Sequence, residues 1–175
     1  QIAAARGTPP AETYLALIQQ AEAYRAAHPG ETGVESVIGT AMRSDDVADF
    51  IAWPQSNICS DGSSHGLHPR GNGSFAKIFR LYVRGTQRLG LEEAVYKMTG
   101  LSAQHLGISN RGIVRPGAMA DLVLFDPATL TDHASNATPE APATGMARVW
   151  VNGVEVWNGA PTGAYPGRFI KRTDR

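Results

Sequence analysis

Apolar residues recur at helical spacing in the first part of the chain, where Tyr14, Leu15, Leu17, Ile18, Ala21 and Tyr24 share one stripe. They predict a helix over about residues 10–27. Thr8 is placed to cap it, Pro9 and Pro10 suit its first turn, and His28-Pro29-Gly30 stops it. Two short apolar runs follow, residues 36–42 (SVIGTAM) and 56–60 (SNICS), each of the length and composition of a buried strand. Between them, Ser44 opens a helical segment through Ala52 that carries Val47, Phe50 and Ile51. Helix, strand, helix, strand is the order of βα units in a parallel sheet.

Helical periodicity resumes at Ser74, with Phe75, Ile78, Phe79, Tyr82 and Val83 on one stripe, and continues in residues 91–98 and 102–106 on either side of Thr99-Gly100. The pattern then changes period. Arg115-Pro116-Gly117 reads as a turn feeding a strand over residues 121–125, stopped by Asp126-Pro127. Residues 128–145, rich in Ala, Thr, Pro and Ser, read as a long loop. Residues 147–151 and 154–157 flank Asn152-Gly153, a strong hairpin signal because both turn positions need positive φ. The fold class expected is α/β for residues 1–110, with a β part over residues 111–175.

Composition narrows the function more than the fold. Of 175 residues, 42% are hydrophobic and 18% charged, which is ordinary for a folded domain. Sixteen basic and sixteen acidic side chains cancel without long runs of either sign, so no footprint for nucleic acid or an anionic membrane surface is present. No apolar stretch approaches the roughly 18 residues of a membrane span. The single cysteine, Cys59, excludes an internal disulfide framework and a cysteine-based structural zinc site. A cytoplasmic setting is the expectation, although a periplasmic protein without disulfides would look the same. The opening QIAAARG reads as the end of a preceding element, so the chain is expected to be a fragment or a processed piece.

The chemistry gathers after the second apolar run. Asp61 follows residues 56–60 directly and begins a loop rich in Gly, Ser and His that also holds His65, His68 and Arg70. The end of a strand in a parallel α/β sheet or barrel is where catalytic groups stand, although an Asp-Gly pair also serves as a simple turn or cap. His65, His68, Asp61 and Cys59 are all of metal-ligating type, but no tight pair at a familiar zinc spacing accompanies them. Arg70 is suited to grip a carboxylate through two parallel hydrogen bonds, and equally to sit solvated on the surface. His28, His105, His133 and the Trp150 and Trp157 pair are explained by capping, solvation and cross-strand packing. Cys59 is expected to pack as a small core residue.

Ser60-Asp61-Gly62, His68-Pro69-Arg70 and Gly73-Ser74-Phe75 together resemble the segment after the last barrel strand of D-aminoacylases and other N-acyl-D-amino-acid deacylases of the amidohydrolase superfamily. Residues 91–107 look like the paired helices that follow. Residues 111–127 (RGIVRPGAMADLVLFDP), 149–157 (VWVNGVEVW) and 162–168 (TGAYPGR) are similar to the strands that return to the family's small β-sandwich. The match covers about residues 34–170.

The resemblance implies that the chain is the C-terminal portion of a metal-dependent (β/α)8 barrel, its last two strands, plus strands of a small β-sandwich domain. It implies an enzyme that hydrolyses the amide of N-acyl, in particular D-, amino acids. Asp61 would be the acid/base that takes a proton from the metal-activated water and returns it to the leaving amine, and it can itself touch the metal. Arg70 would bind the free carboxylate of the substrate, with His68 and Ser74 shaping the pocket. One or two Zn2+ ions are implied as cofactor. A complete barrel needs about 250 residues, and the family's other metal ligands have no counterpart here. Activity is therefore expected only with the missing N-terminal barrel half, in the same polypeptide or as a separate chain, and a homo-oligomer is compatible. The alternatives are another amidohydrolase, hydantoinase-like or dipeptidase-like, and a noncatalytic assembly chain.

Overall fold

The computed structural model describes residues 1–31, 42–63 and 68–171. They fall into two compact units, Gln1–Ala41 and Met42–Arg175. In the first unit α1 (Ile2–Arg6) ends on Gly7 at φ 65° and α2 (Pro10–Ala27) follows. Proline at the first helical position gives up only an N–H that has no partner there. Thr8 does not cap the helix. Its hydroxyl lies 2.7 Å from that of Thr13, which donates in turn to the Pro9 carbonyl at 3.0 Å, so the bond runs between side chains instead of to a free backbone N–H. The stop falls where expected: the His28 N–H returns to Tyr24 at 3.0 Å and Gly30 takes φ 100°. Tyr14, Leu15, Ile18 and Tyr24 remain exposed. Of the first expected strand, residues 36–41 lie outside the described residues.

The second unit opens with α3 (Ser44–Ala52), whose first turn carries Asp45 and Asp46 against the positive end of the helix. Ser44 is its first helical residue and makes no side-chain cap. Residues 56–60 have no strand ladder among the described residues, which corrects the expectation of a strand there. A strand is completed by a neighbour's N–H and C=O groups. Ile58 N–H donates instead to the carbonyl of Lys97 at 3.3 Å. The alternation survives all the same: positions 56, 58 and 60 are half-buried and 57 and 59 exposed. Cys59 is accordingly on the outer side and exposed, not a core residue.

Helix α4 (Arg70–Ile78) begins four residues before the apolar stripe does, with Pro69 at its cap position. It runs into a π-helical stretch, Phe79–Gly85, whose close is marked by the Thr86 N–H reaching Leu81, five residues back, at 2.8 Å. Helices α5 (Leu91–Met98) and α6 (Gly100–Leu106) follow, and Gly107 at φ 71° ends the pair. The chain closes on a three-stranded antiparallel sheet in the order β1 (Leu122–Phe125), β2 (Met146–Val151), β3 (Val154–Trp157). Asn152 at φ 50° and Gly153 at φ 81° make the expected hairpin turn. Trp150 and Trp157 are not partners. Trp157 faces Val149, and Trp150 faces Glu155, because a register shift separates the two positions.

Ala76, Ile78, Phe79, Leu89, Ala94 and Leu130 form the core, with Ile58, Phe125 and Met146 packed on it. Phe79 and Phe125 meet at a ring separation of 5.0 Å, joining the helical layer to the sheet. Of the core side chains, the fully buried Ile78, Phe79, Leu89 and Leu130 are each worth roughly 1.5–3 kcal/mol over exposure. Arg111 extends the joint at the far end of the sheet. It pairs with Asp121 and donates to the Asn152 side-chain carbonyl at 2.6 Å, while the Asn152 amide donates to the Pro166 carbonyl at 2.7 Å. Three separated sequence stretches thus meet at one hairpin tip.

The long loop after β1 is held by the π stretch. Arg80 makes a bidentate pair with Asp132 at 2.6 and 3.0 Å, and Arg84 donates to the carbonyls of Pro127 and Leu130 at 2.8 and 2.6 Å. Burial pushes the Asp132 carboxyl up, but the hydrogen bond and charge of Arg80 outweigh it and leave it below the ordinary range. A depressed folded value means that the pair stabilises above the unfolded value of about 4 and fades as pH falls through the lower folded one. Asp132→Asn should therefore cost about 1–2 kcal/mol in urea unfolding at pH 7, the low end for a charged hydrogen bond because Arg80 is partly solvated. The difference from the parent should shrink as pH falls below the ordinary carboxylate value of about 4; an equal gap at neutral and acid pH would refute the assignment.

Candidate active site

Ser60, Asp61 and Gly62 form a bend that delivers one carboxylate to the surface beside α4. Asp61 stands at φ 48°, the left-handed region that aspartate and asparagine visit more readily than most residues. Ser60 Oγ accepts the Gly62 N–H at 3.1 Å and closes the bend. A Cβ on Gly62 would lie 2.8 Å from the Gly71 Cα and 3.2 Å from Ser60 Oγ, so two backbones touch there and no other residue fits without displacement.

Arg70, the first residue of α4, reaches back to this bend with its Nη2 3.1 Å from Asp61 Oδ2. The two side chains are 44% and 78% exposed, so solvent screening keeps the pair to about 1 kcal/mol at most. Its importance is geometric. His68 shapes the same corner: its Nδ1 accepts the Arg70 N–H at 3.1 Å and its carbonyl accepts the Gly71 N–H at 3.1 Å. An accepting Nδ1 leaves Nε2 as the ring's donor. Asp61, His68 and Arg70 are thus brought together. Ser74, one turn on, instead lines a mainly apolar cavity of about 360 Å³ with Phe75, Phe79, Val95, Met98 and Phe125. His65 lies outside the described residues.

Among the described residues no three His, Cys, Asp or Glu side chains gather closely enough to hold a metal ion. Asp61 is the one carboxylate at the bend, and it faces a guanidinium. These residues by themselves do not make a metal site; they fit at most one ligand of one. His105 and His133 have local partners, Asn57 Oδ1 at 3.3 Å and Thr144 Oγ1 at 2.8 Å. No helix among the described residues is long and apolar enough to cross a membrane.

The model of the amidohydrolase family matches residues 63–157. The chain belongs to the amidohydrolase family. The match begins just after the Ser60-Asp61-Gly62 bend and includes His68, Arg70, Ser74 and the whole sheet. An N-acyl-D-aspartate deacylase of Alcaligenes xylosoxydans xylosoxydans is 43% identical over 136 residues, which are 76% of this chain and 27% of that protein. A D-aminoacylase structure, described for the role of its binuclear metal centre, aligns at a TM-score of 0.68 and 43% identity, covering 70% of this chain and 27% of its own. An N-acyl-D-glutamate deacylase of Bordetella bronchiseptica, in complex with zinc and a phosphonate mimic of the tetrahedral intermediate, aligns at 0.71 and 39% identity, covering 76% of this chain and 28% of its own. The fold thus fits its amidohydrolase neighbours. The chain spans little more than a quarter of the length of the relatives it matches.

Proposed function

We propose that this chain is the part of a metal-dependent amidohydrolase that supplies the acid/base and a substrate carboxylate clamp, and that the complete enzyme cleaves the amide of N-acyl-D-amino acids. The reading is supported above all by one arrangement: an exposed carboxylate, Asp61, within reach of an arginine at a helix start, Arg70, in a chain similar to deacylases of N-acyl-D-aspartate and N-acyl-D-glutamate. A divalent metal, zinc in the first instance, supplies Lewis acidity that acidifies the attacking water. Its other ligands come from outside the described residues, in a barrel of which residues 1–110 form the C-terminal part.

Asp61 accepts the proton that the water loses as its oxygen bonds to the acyl carbon. It then gives that proton to the nitrogen as the C–N bond breaks, so the amino acid leaves as a neutral amine and not as a strongly basic anion. Arg70 turns its planar donors to the free carboxylate of the substrate, fixing its direction as well as its charge. His68 holds the Arg70 backbone at the helix start, and Ser74 borders the apolar space beside it.

The test is a comparison of substrates on the full-length, metal-loaded enzyme. Arg70→Ala should raise KM for N-acyl-D-amino acids about 10- to 100-fold, the loss of one charge-assisted pair, and leave the corresponding neutral amides within about threefold. Equal losses on both series would remove the clamp and favour a hydantoinase-like or dipeptidase-like hydrolase.

A further inference from the structure

Lys97, in α5, is a buried ionisable residue that the proposed reaction does not use. Its side chain is 1% exposed, although lysine is almost never fully buried without strong partners. A methionine would fill the same space without desolvating a charge. Its three ammonium hydrogens face acceptors that belong to one short piece of chain: the Trp53 carbonyl, the Ser56 carbonyl at 3.2 Å and Ser56 Oγ at 3.3 Å. Among the described residues its acidic partner is Glu93 of the same helix, 3.9 Å away and nearly half in solvent. The ammonium is therefore spent chiefly on neutral oxygens just past the end of α3, where the Ser56 hydroxyl also reaches back to the Phe50 carbonyl at 2.6 Å.

The backbone of the same residue holds the next piece. The Lys97 carbonyl accepts the Ile58 N–H at 3.3 Å and the Ser102 hydroxyl at 2.8 Å. One residue thus anchors positions 53, 56 and 58, and the chain then has only Cys59 and Ser60 to cross before Asp61. Beyond Asp61 the second anchor is the backbone contact of Gly62 with Gly71. The Asp61 peptide lies between these two contacts, in a left-handed conformation that aspartate accepts.

We infer that Lys97 is a positioning residue for Asp61: its buried ammonium sets the path of residues 53–60 and so the place from which the carboxylate works. The inference rests on the acid/base reading of Asp61. It goes beyond that reading, because a residue that merely stabilised the fold would affect catalysis without passing through Asp61.

A double-mutant cycle on the full-length, metal-loaded enzyme separates the two. Lys97→Met keeps the bulk and removes the donors, and should lower kcat about 10- to 100-fold with KM within about threefold, the scale of a small misplacement of a catalytic group. In the Asp61→Asn background the same change should cost less than about threefold, because the group it positions is already gone. Amide hydrogen exchange should quicken over residues 56–62 while Ala94 in α5 keeps its protection. Should Lys97→Met fail to fold, Ser56→Ala, which removes one acceptor of the ammonium together with the hydroxyl's own bond to the Phe50 carbonyl, takes its place with an expected loss of about threefold or more in kcat and the same loss of effect beside Asp61→Asn. Multiplicative losses in the cycle, an unchanged kcat, or faster exchange spread through α5 would each overturn the inference. Full turnover by Asp61→Asn alone would instead identify the acid/base assignment as the error, and Lys97 would lose its role with it.

Discussion

Asp61→Asn should lower kcat of the full-length, metal-loaded enzyme about 10³-fold, within the range for loss of a positioned acid/base, while the protein folds as before. The substitution is a severe one for the chemistry and a mild one for the structure. An amide side chain neither takes the proton of the attacking water nor carries one to the leaving nitrogen. Asparagine nevertheless accepts the left-handed backbone at φ 48° as well as aspartate does. Its carbonyl oxygen can still face Arg70, and the pair it replaces is largely solvated. Circular dichroism and the unfolding midpoint should therefore match the parent while turnover collapses. Retention of more than about a tenth of the parent kcat, far above what removal of a general acid/base leaves, would refute the role.

The second large effect is expected at a residue with no functional group. Gly62→Ala should reduce kcat about 10²-fold, as misplacement of a reacting group by about 1 Å does, and destabilise the protein by about 1–3 kcal/mol, as overpacking does. The new methyl would stand 2.8 Å from the Gly71 Cα. Ser60 Oγ at 3.2 Å can rotate away, but the Gly71 neighbour is backbone, so the strain must move either the bend or the first turn of α4, and Asp61 and Arg70 sit on those two elements. The φ of Gly62 lies outside the left-handed region, so the cost is contact and not backbone conformation. Gly62→Ala with parent kcat would mean that the bend does not place the carboxylate.

What the sequence made legible was local. The α2 span, the helix α5, the turn at Gly117 and the Asn152-Gly153 hairpin each depend on residues within a few positions and formed where expected, while α6 begins two residues early, at the Gly100 read as a break. The grouping of Asp61, His68 and Arg70 was also readable, because ten residues hold all three. What escaped is set by distant partners. Arg80 and Asp132 are 52 positions apart, and Lys97 reaches Trp53 and Ser56 across more than 40. No periodicity marks a lysine for burial when it lies in an ordinary helical pattern. Residues 56–60 show the converse: their in-and-out alternation is present, but a ladder needs neighbours that composition alone does not supply. Cys59 was misplaced because a short apolar run does not say which of its alternate positions faces inward. Thr8 and Ser44 had the right chemistry for caps, and in neither case did the hydroxyl meet a free N–H.

The π-helical stretch Phe79–Gly85 makes chain length itself part of the specification. Hydrogen bonds that skip five residues accommodate one residue more than an α-helix would over the same rise. Deleting one residue within it would let the stretch close with α winding over the same rise, so the cost would fall on the stretch itself. Arg80, which pairs with Asp132, and Arg84, which donates to the carbonyls of Pro127 and Leu130, would then stand at a different spacing. The two grips on the loop are set by the number of residues between them. A stretch that composition alone would treat as interchangeable with any amphipathic helix is, in this respect, gauged to the single residue.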